Sequence, residues 1–292
     1  MNADAALQYQ HRLRSVIDHI DAHLNDALSV DELSSIAAFS KFHFHRQFSD
    51  FFGINVSKFI QLLRINRATQ QLAFRTDPIT DIALGSGYES VEAFSRAFKK
   101  LIGQTPSDFR KQPDWSTWFS AYQPARELRV NHMVTDDQRH VNIVTTKDIN
   151  VAALEHRGDP ATLGESIRKF IEWRKQHGLH PSKHATFNIF YDDPDAVEPH
   201  QYRLDLCVAT ETASSNDAVG VINRIIPGGR CAMMRHTGSD DLLRTSISYL
   251  YSTWLPASGE ELRDFPLYVQ RVKFFPDVAE HEAIVDIFLP LK

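Results

Sequence analysis

The sequence predicts two domains: an all-α domain built on two helix-turn-helix motifs, followed by an α+β domain made of two repeated strand-strand-helix-strand-strand units. Three observations predict this. At 292 residues the chain exceeds the span of one ordinary domain. An internal repeat at a spacing of 50 residues sets Ser40, Phe44, Arg46, Phe48, Gly53 and Phe59 in register with Ser90, Phe94, Arg96, Phe98, Gly103 and Phe109. A second repeat, at a spacing of 80 to 82, sets His156-x-Gly158 on His236-x-Gly238, Trp173 on Trp254, Pro194 on Pro276, and Arg203-Leu204-Asp205-Leu206 on Ile284-Val285-Asp286-Ile287.

Taken in order, residues 7–24 place Leu7, Leu13, Val16, Ile17, Ile20 and Leu24 at helical spacing, which describes an amphipathic helix. Ser29-Val30-Asp31-Glu32 has the form of a capping box, with Ser29 accepting from the first turn and Glu32 reaching back, and starts a short helix to about Ala38. Phe39 and Ser40 break it, and Ser40 caps the next helix, Lys41 to Phe52, whose apolar face is Phe44, Phe48, Phe51 and Phe52. A longer helix from Ser57 to Phe74 buries Phe59, Leu62, Leu63, Ile65, Ala68 and Leu72 and spaces the first motif from the second. Asp77 as cap and Pro78 at the first helical position open that second motif, Ile79 to Leu84, then a turn with Gly85 and Gly87, then Ser90 to Leu101. A last helix begins at Thr105-Pro106.

Residues 113–138 read as an interdomain linker, irregular but locally packed through Trp115, Trp118, Phe119 and Tyr122. From Val141 on, alternating apolar residues mark strands. The first unit places strands at about 141–145, 151–156, 186–191 and 202–208 and a helix at 163–177. Two such units would set two sheets facing each other across a pseudo-twofold cleft, a natural small-molecule site.

Charge is unevenly divided. Residues 1–115 carry 13 basic and 13 acidic side chains, and the remainder carries 19 against 24, so the net −5 belongs to the rear. Residues 33–112 hold 11 basic and 6 acidic side chains, a local excess suited to phosphates. Cys207 and Cys231, without metal-site spacing, read as buried thiols. No apolar run reaches the length of a membrane span and the N-terminus lacks the core of a signal peptide, so a cytoplasmic protein without membrane contact is expected.

The front domain resembles the DNA-binding domain of the AraC/XylS family of transcription regulators. The resemblance covers residues 11–112 through Ala37-x-x-Ser40, Phe48, Gly53, Arg64, Ala68, Ile82-Ala83, Gly87-Tyr88, Phe94-Ser95-Arg96 and Gly103-x-Thr105-Pro106. It implies a double-stranded DNA partner, with two recognition helices entering successive major grooves about 34 Å apart. The resemblance and the outward helix faces together make Lys41, Phe42, His45 and Arg46 of the first helix, and Val91, Glu92, Ser95 and Arg96 of the second, the candidates for base contact. Arg46 can bond a guanine bidentately and Phe42 can meet a thymine methyl, whereas Glu92 repels phosphate but can accept from cytosine. Ser40, Ser90, Lys99, Lys100 and Arg110 are the candidates for backbone contact. RNA polymerase is a further partner open to a regulator of this kind.

The rear half is similar to the GyrI-like effector-binding domain over residues 139–292, through Phe190-Tyr191-Asp192-Asp193-Pro194, His236-x-Gly238 and the closing Asp286-Ile287-Phe288-Leu289-Pro290-Leu291. The order of the two domains resembles the Rob type of regulator. The resemblance implies a small-molecule effector and no cofactor, and Phe187, Phe190, Tyr191, Trp254, Tyr268 and Gln270 are the candidate pocket walls. Six residues before Pro276, where the family carries a pocket glutamate, this chain has Gln270. That change points to a neutral or polar aromatic ligand, or to negative charge supplied elsewhere, as from Asp286. His156 and His236 sit at equivalent repeat positions, which favours a shared structural role over a metal or acid–base pair. Neither a Gly-x-Ser-x-Gly elbow nor a metal motif is present, so no catalytic residue is assigned. The alternative readings are a rear domain that hydrolyses small molecules or one that binds another protein.

Overall fold

The computed structural model describes residues 3–132, 139–211 and 219–292 and divides into two compact units, one helical and one built on a sheet. In the helical unit α1 (Ala3–Ala22), α2 (Val30–Ile36), α3 (Lys41–Phe52), α4 (Val56–Phe74), α5 (Ile79–Gly85), α6 (Val91–Ile102) and α7 (Pro106–Lys111) follow the predicted order. Two aromatic cores form. Phe44, Phe48 and Phe59 are fully buried in the first; Phe94, Phe98 and Phe109 occupy the matching places in the second. Both α3 and α6 end at a glycine of left-handed backbone, Gly53 and Gly103.

Local details depart from the sequence reading. Ser29 accepts from the Glu32 amide at 3.1 Å, but the Glu32 carboxylate pairs with His19 of α1 at 2.9 Å, so the box is half formed. An interhelical partner has outcompeted the reach-back bond. Pro78 is itself the cap residue of α5, and α4 is capped by Asn55, whose side chain accepts from the Lys58 amide at 2.8 Å.

The larger correction concerns the expected linker. Trp115–His132 is a helix, α8, that carries Pro124 within it. Its Tyr122, Ala125 and Leu128 complete the first core, Trp115 completes the second, and Trp118 packs against both. The aromatic run that read as irregular packing is the seam joining the two motifs. Residues 133–138 of the expected linker lie outside the described residues.

Arg64 of α4 makes a second tie. Its guanidinium donates to the backbone carbonyls of Leu24 at 3.0 Å and Asp26 at 2.8 Å, in the connection between α1 and α2. Gly87 in the turn of the second motif lies directly against the same group. A Cβ there would come within 2.7 Å of Arg64, and the backbone φ of 74° is one that side chains rarely adopt.

The sheet unit contains β1 (Val141–Thr146), β2 (Ile149–Arg157), α9 (Leu163–Gln176), β3 (Thr186–Phe190) and β4 (Arg203–Ala209). It continues with β5 (Ile222–Ile226), β6 (Gly229–Thr237), α10 (Leu243–Tyr249), a π-helical turn Leu250–Trp254, α11 (Leu255–Ser258), β7 (Tyr268–Lys273) and β8 (Ile284–Pro290). The strands form one antiparallel eight-stranded sheet in the order β1-β6-β8-β7-β3-β4-β2-β5. This corrects the expectation of two facing sheets. β1 pairs with β6 and β5 with β2, so each half lends its first strand to the other, and β3 joins β7 at the centre.

The exchange is held where the β1–β2 and β5–β6 turns cross. The Gly228 amide donates to Asp148 Oδ1 at 2.7 Å, and a Cβ on Gly228 would meet the Lys147 backbone at 2.6 Å. Among the described residues of this unit, its helices cover one face. Phe170 and Trp173 of α9 pack on Leu154, Leu204 and Leu206, while Leu243 and Leu250 pack on Val269, Val285 and Ile287. The opposite face carries Val151, Ala153, Phe187, Ile189, Cys207, Cys231 and Tyr268.

Gly87→Ala is expected to lower stability by more than the roughly 1–2 kcal/mol of a left-handed alanine, because Arg64 must also move. In an Arg64→Ala background the same change should cost only the backbone share. Equal losses in both backgrounds, measured by urea denaturation, would mean that the contact contributes nothing.

Candidate nucleic-acid interface and effector face

The exposed side of α3 is opposite Phe44 and Phe48. Lys41, Phe42, His45 and Arg46 all stand there in solvent. Phe42 is 86% exposed, an unusual position for a large aromatic without a partner surface. The Arg46 side chain is 85% exposed and approaches only Asp50, one helical turn on, at 3.5 Å. Such a pair is worth a few tenths of a kcal/mol, so the guanidinium is cheaply released. Lys41 lies 3.4 Å from Asp31, also in an exposed pair.

On α6, Glu92 and Arg96 are exposed, and Val91 and Ser95 are half-buried. Hydrogen bonds from its own amide and from Ser90, with the charge of Arg96, hold the Glu92 carboxyl below the usual range. Glu92 is therefore an ionised residue in the first turn, where the helix dipole favours it. Ser90 accepts from the Ala93 amide at 3.1 Å and is a true cap, while Ser40 makes no capping bond. Lys99 and Lys100 are exposed. Arg110 donates to the Asp77 carbonyl at 2.6 Å, which fastens α7 to the segment before α5.

In the sheet unit the six pocket candidates do not share a wall. Phe187, Tyr191, Tyr268 and Gln270 belong to the helix-free face, where Phe187 and Gln270 are cross-strand partners. Phe190 and Trp254 lie on the other face, packed in the helix–sheet cores. Trp173, the repeat equivalent of Trp254, has the same core role, and that equivalence was the available signal. Phe187 is 3% and Tyr268 1% exposed; Tyr268 stacks on Phe288 with centroids 4.9 Å apart. The middle of this face is closed by its own aromatics.

Two carboxylates flank that centre, one from each half. Asp286 is the cross-strand partner of Gln270 and of Arg235, whose guanidinium binds it through two bonds of 2.7 and 2.9 Å. Asp286 therefore supplies no uncompensated charge beside Gln270. Asp205 is 0% exposed, accepts from the Tyr191 hydroxyl at 2.9 Å and pairs with Arg224 Nε at 2.8 Å, while its Oδ1 has no hydrogen-bond partner. Burial raises the Asp205 carboxyl above its usual range against the pull of Tyr191 and Arg224. The sequence reading used Asp205 only as a mark of the repeat. A charged residue inside an apolar strand was the clue to its site.

The two repeat histidines take parallel structural roles. His156 Nδ1 and His236 Nδ1 each lie 2.9 Å from a serine hydroxyl ten residues on, Ser166 and Ser246. His236 Nε2 also lies 3.0 Å from the Ser239 carbonyl. Cys207 and Cys231 are buried free thiols. Among the described residues no group of three His, Cys, Asp or Glu could hold a metal ion, and no helix is long and apolar enough to cross a membrane.

With the geometry in place, known proteins give the class. Residues 33–112 match the model of a helix-turn-helix domain, and residues 139–292 match that of the GyrI-like small molecule binding domain. The chain belongs to the GyrI-like family and joins that domain to an AraC-type helix-turn-helix domain; it is a DNA-binding transcription regulator.

Among particular proteins it is similar to "Probable transcriptional regulator YgiV" of Escherichia coli K12, 36% identical over 152 residues, 52% of this chain and 95% of that one. The right origin-binding protein of Escherichia coli K12 is 32% identical over 205 residues, 70% of this chain and 63% of that one. Transcriptional regulator Rob of Salmonella typhimurium is 31% identical over 139 residues, 48% of this chain and 47% of that one.

Burial lowers the proton affinity of both His156 and His236 below that of a free imidazole. Below about pH 6.5 the unfolded chain takes up protons that the folded histidines resist, so stability is full above that pH and lost as pH falls through their lower folded values. The midpoint of thermal unfolding of the sheet unit within the whole chain should fall between about pH 7 and 5. His156→Gln with His236→Gln should flatten that slope, and an unchanged slope in the double variant would remove the histidines as its cause.

Proposed function

We propose that this chain reads a specific operator with α3 as the dominant recognition helix and α6 as the conditional one, and that its sheet domain senses a neutral aromatic small molecule. The observation that carries the DNA half is the solvent-held row of Lys41, Phe42, His45 and Arg46 set squarely opposite a buried phenylalanine core. α6 offers fewer free donors, since the Ser90 hydroxyl is engaged at its N-terminus and the ionised Glu92 can only accept. In this reading residues 1–112 hold the reading motifs, α8 belongs to the same unit as their brace, and residues 139–292 form the sensor. Ser40, Lys99 and Lys100 position the phosphates, and Arg110 serves the fold first.

Neutrality of the ligand rests on charge accounting at the helix-free face. Gln270 carries no charge, Asp286 is bound by Arg235 in two bonds, and Asp205 is paired with Arg224. A buried cation would meet carboxylates whose charge an arginine already compensates. The ligand acts by preferring one state of the protein over another, because equal affinity for both states shifts nothing. Such a shift can reach transcription through DNA affinity or through RNA polymerase.

Arg46→Ala should weaken binding to an operator recovered by selection from a random duplex pool by about 1–3 kcal/mol and relax preference at one base pair. Arg96→Ala should cost less. A gel-shift titration in which Arg46→Ala keeps both affinity and base preference would reassign the reading helix.

For the sensor, wild-type protein should not prefer the cation benzyltrimethylammonium over an uncharged aromatic of the same shape in calorimetry. Gln270→Glu should reverse that order by adding a carboxylate between Phe187 and Asp286. A wild-type preference for the cation would overturn neutrality.

A further inference from the structure

A groove of about 460 Å³ lies along the N-terminal half of α4, outside both recognition helices. One wall is the α4 face formed by Ser57, Lys58, Gln61 and Arg64, and the other is Gly87-Tyr88 in the turn of the second motif. The groove thus runs from one helix-turn-helix motif to the other along the helix that separates them. Every lining side chain that carries charge is basic: the groove contains Lys58 and Arg64 and no carboxylate.

Lys58 has no acidic partner among the described residues, and the positive charge it feels is that of Lys100, from the end of α6. Partial burial and that neighbour both lower its proton affinity. An ammonium group in a groove without carboxylates, with the charge of a second lysine acting on it, is unfavourable in the free protein, and an anion in the groove removes the cost. Arg64 cannot swing away to relieve it, because two backbone carbonyls and Gly87 fix its guanidinium. Tyr88, hydrogen-bonded to Gln61, supplies a hydroxyl at the same wall. The groove is preorganised for a phosphate oxygen, with positive charge and hydrogen-bond donors held before the ligand arrives.

A duplex read in two successive major grooves must carry its intervening phosphate backbone past the connector between the reading helices. We infer that the α4 groove, with Lys58 as its principal charge and Gln61, Arg64 and Tyr88 around it, is a phosphate seat that grips the DNA backbone between the two major grooves. The seat rests on the reading of α3 and α6 as recognition helices. It reads no sequence, and it fixes the register of both helices at once. It would account for two motifs of unequal strength engaging one duplex together.

The test uses the full chain and a mixed-sequence duplex of about 30 base pairs, with binding followed by fluorescence anisotropy across a salt series. Lys58→Gln should weaken binding several-fold at low salt and reduce the slope of log affinity against log salt by about 0.9, the signature of one lost phosphate contact. Lys58→Arg should restore both. Lys169→Gln, which removes the same charge from an exposed position on α9, should leave the slope unchanged. If Arg46→Ala impairs operator binding while Lys58→Gln keeps the wild-type slope and affinity, the seat is wrong and the reading helices stand. Equal slope losses for Lys58→Gln and Lys169→Gln would also overturn the seat, since the effect would then be one of overall charge.

Discussion

The helical unit depends on the burial of one helix between two aromatic cores. The N-terminal half of α4 gives Val56, Phe59, Leu62 and Leu63 to the first core, and its C-terminal half gives Ile65, Ala68, Leu72 and Ala73 to the second. At 19 residues it is about 28 Å long, close to one turn of duplex DNA. Each fully buried phenylalanine contributes about 1.5–3 kcal/mol, so the cores supply far more than is needed to hold the spacing. The spacing is therefore a property of packing. Arg64 under Gly87 and α8 across both cores then remove the remaining freedom to bend or twist.

In the sheet unit a comparable constraint is the crossing of two turns at Gly228. Where the turns cross, β1 pairs with β6 and β5 with β2, so each first strand has its partner in the other half. The sheet order reads the same from either end when the halves are exchanged. Chemistry breaks this symmetry. One half compensates its carboxylate through Arg235 on the adjacent strand β6, the other through Arg224 on edge strand β5 together with Tyr191. Two similar halves thus present two different polar ends around one apolar centre.

Much of this was legible in the chain. Phenylalanine spacing located α3 and α6 and their exposed faces, since a helix with one apolar stripe exposes the opposite residues by necessity. The strands of the first unit lie within a residue or two of their expected ends, because period-two alternation survives wherever one face is covered by a helix. Other features were hidden. Pro124 and the aromatic crowding of Trp115 to Tyr122 disguised α8, whose side chains serve two cores and so show no single apolar stripe. Phe190 looked like a pocket aromatic because residue type does not reveal which face of a sheet a side chain takes, and Trp254 because it does not reveal that a helical side chain packs into the core beneath it. Glu32 made its bond to His19, a residue in another helix that no local capping rule can foresee.

The sequence alone determined the class of each domain, the exposed faces of α3 and α6 and the neutral side chain at Gln270, since all three are written in local periodicity and residue type. Only tertiary structure decided which charges are free. Arg46 remains loosely held in solvent and Lys58 lines a groove without carboxylates, whereas Asp286, Asp205 and Arg110 are spent on partners far away in sequence. The reason is physical. Periodicity follows from the geometry of one element, but the availability of a charge depends on what other elements bring within about 3 Å of it.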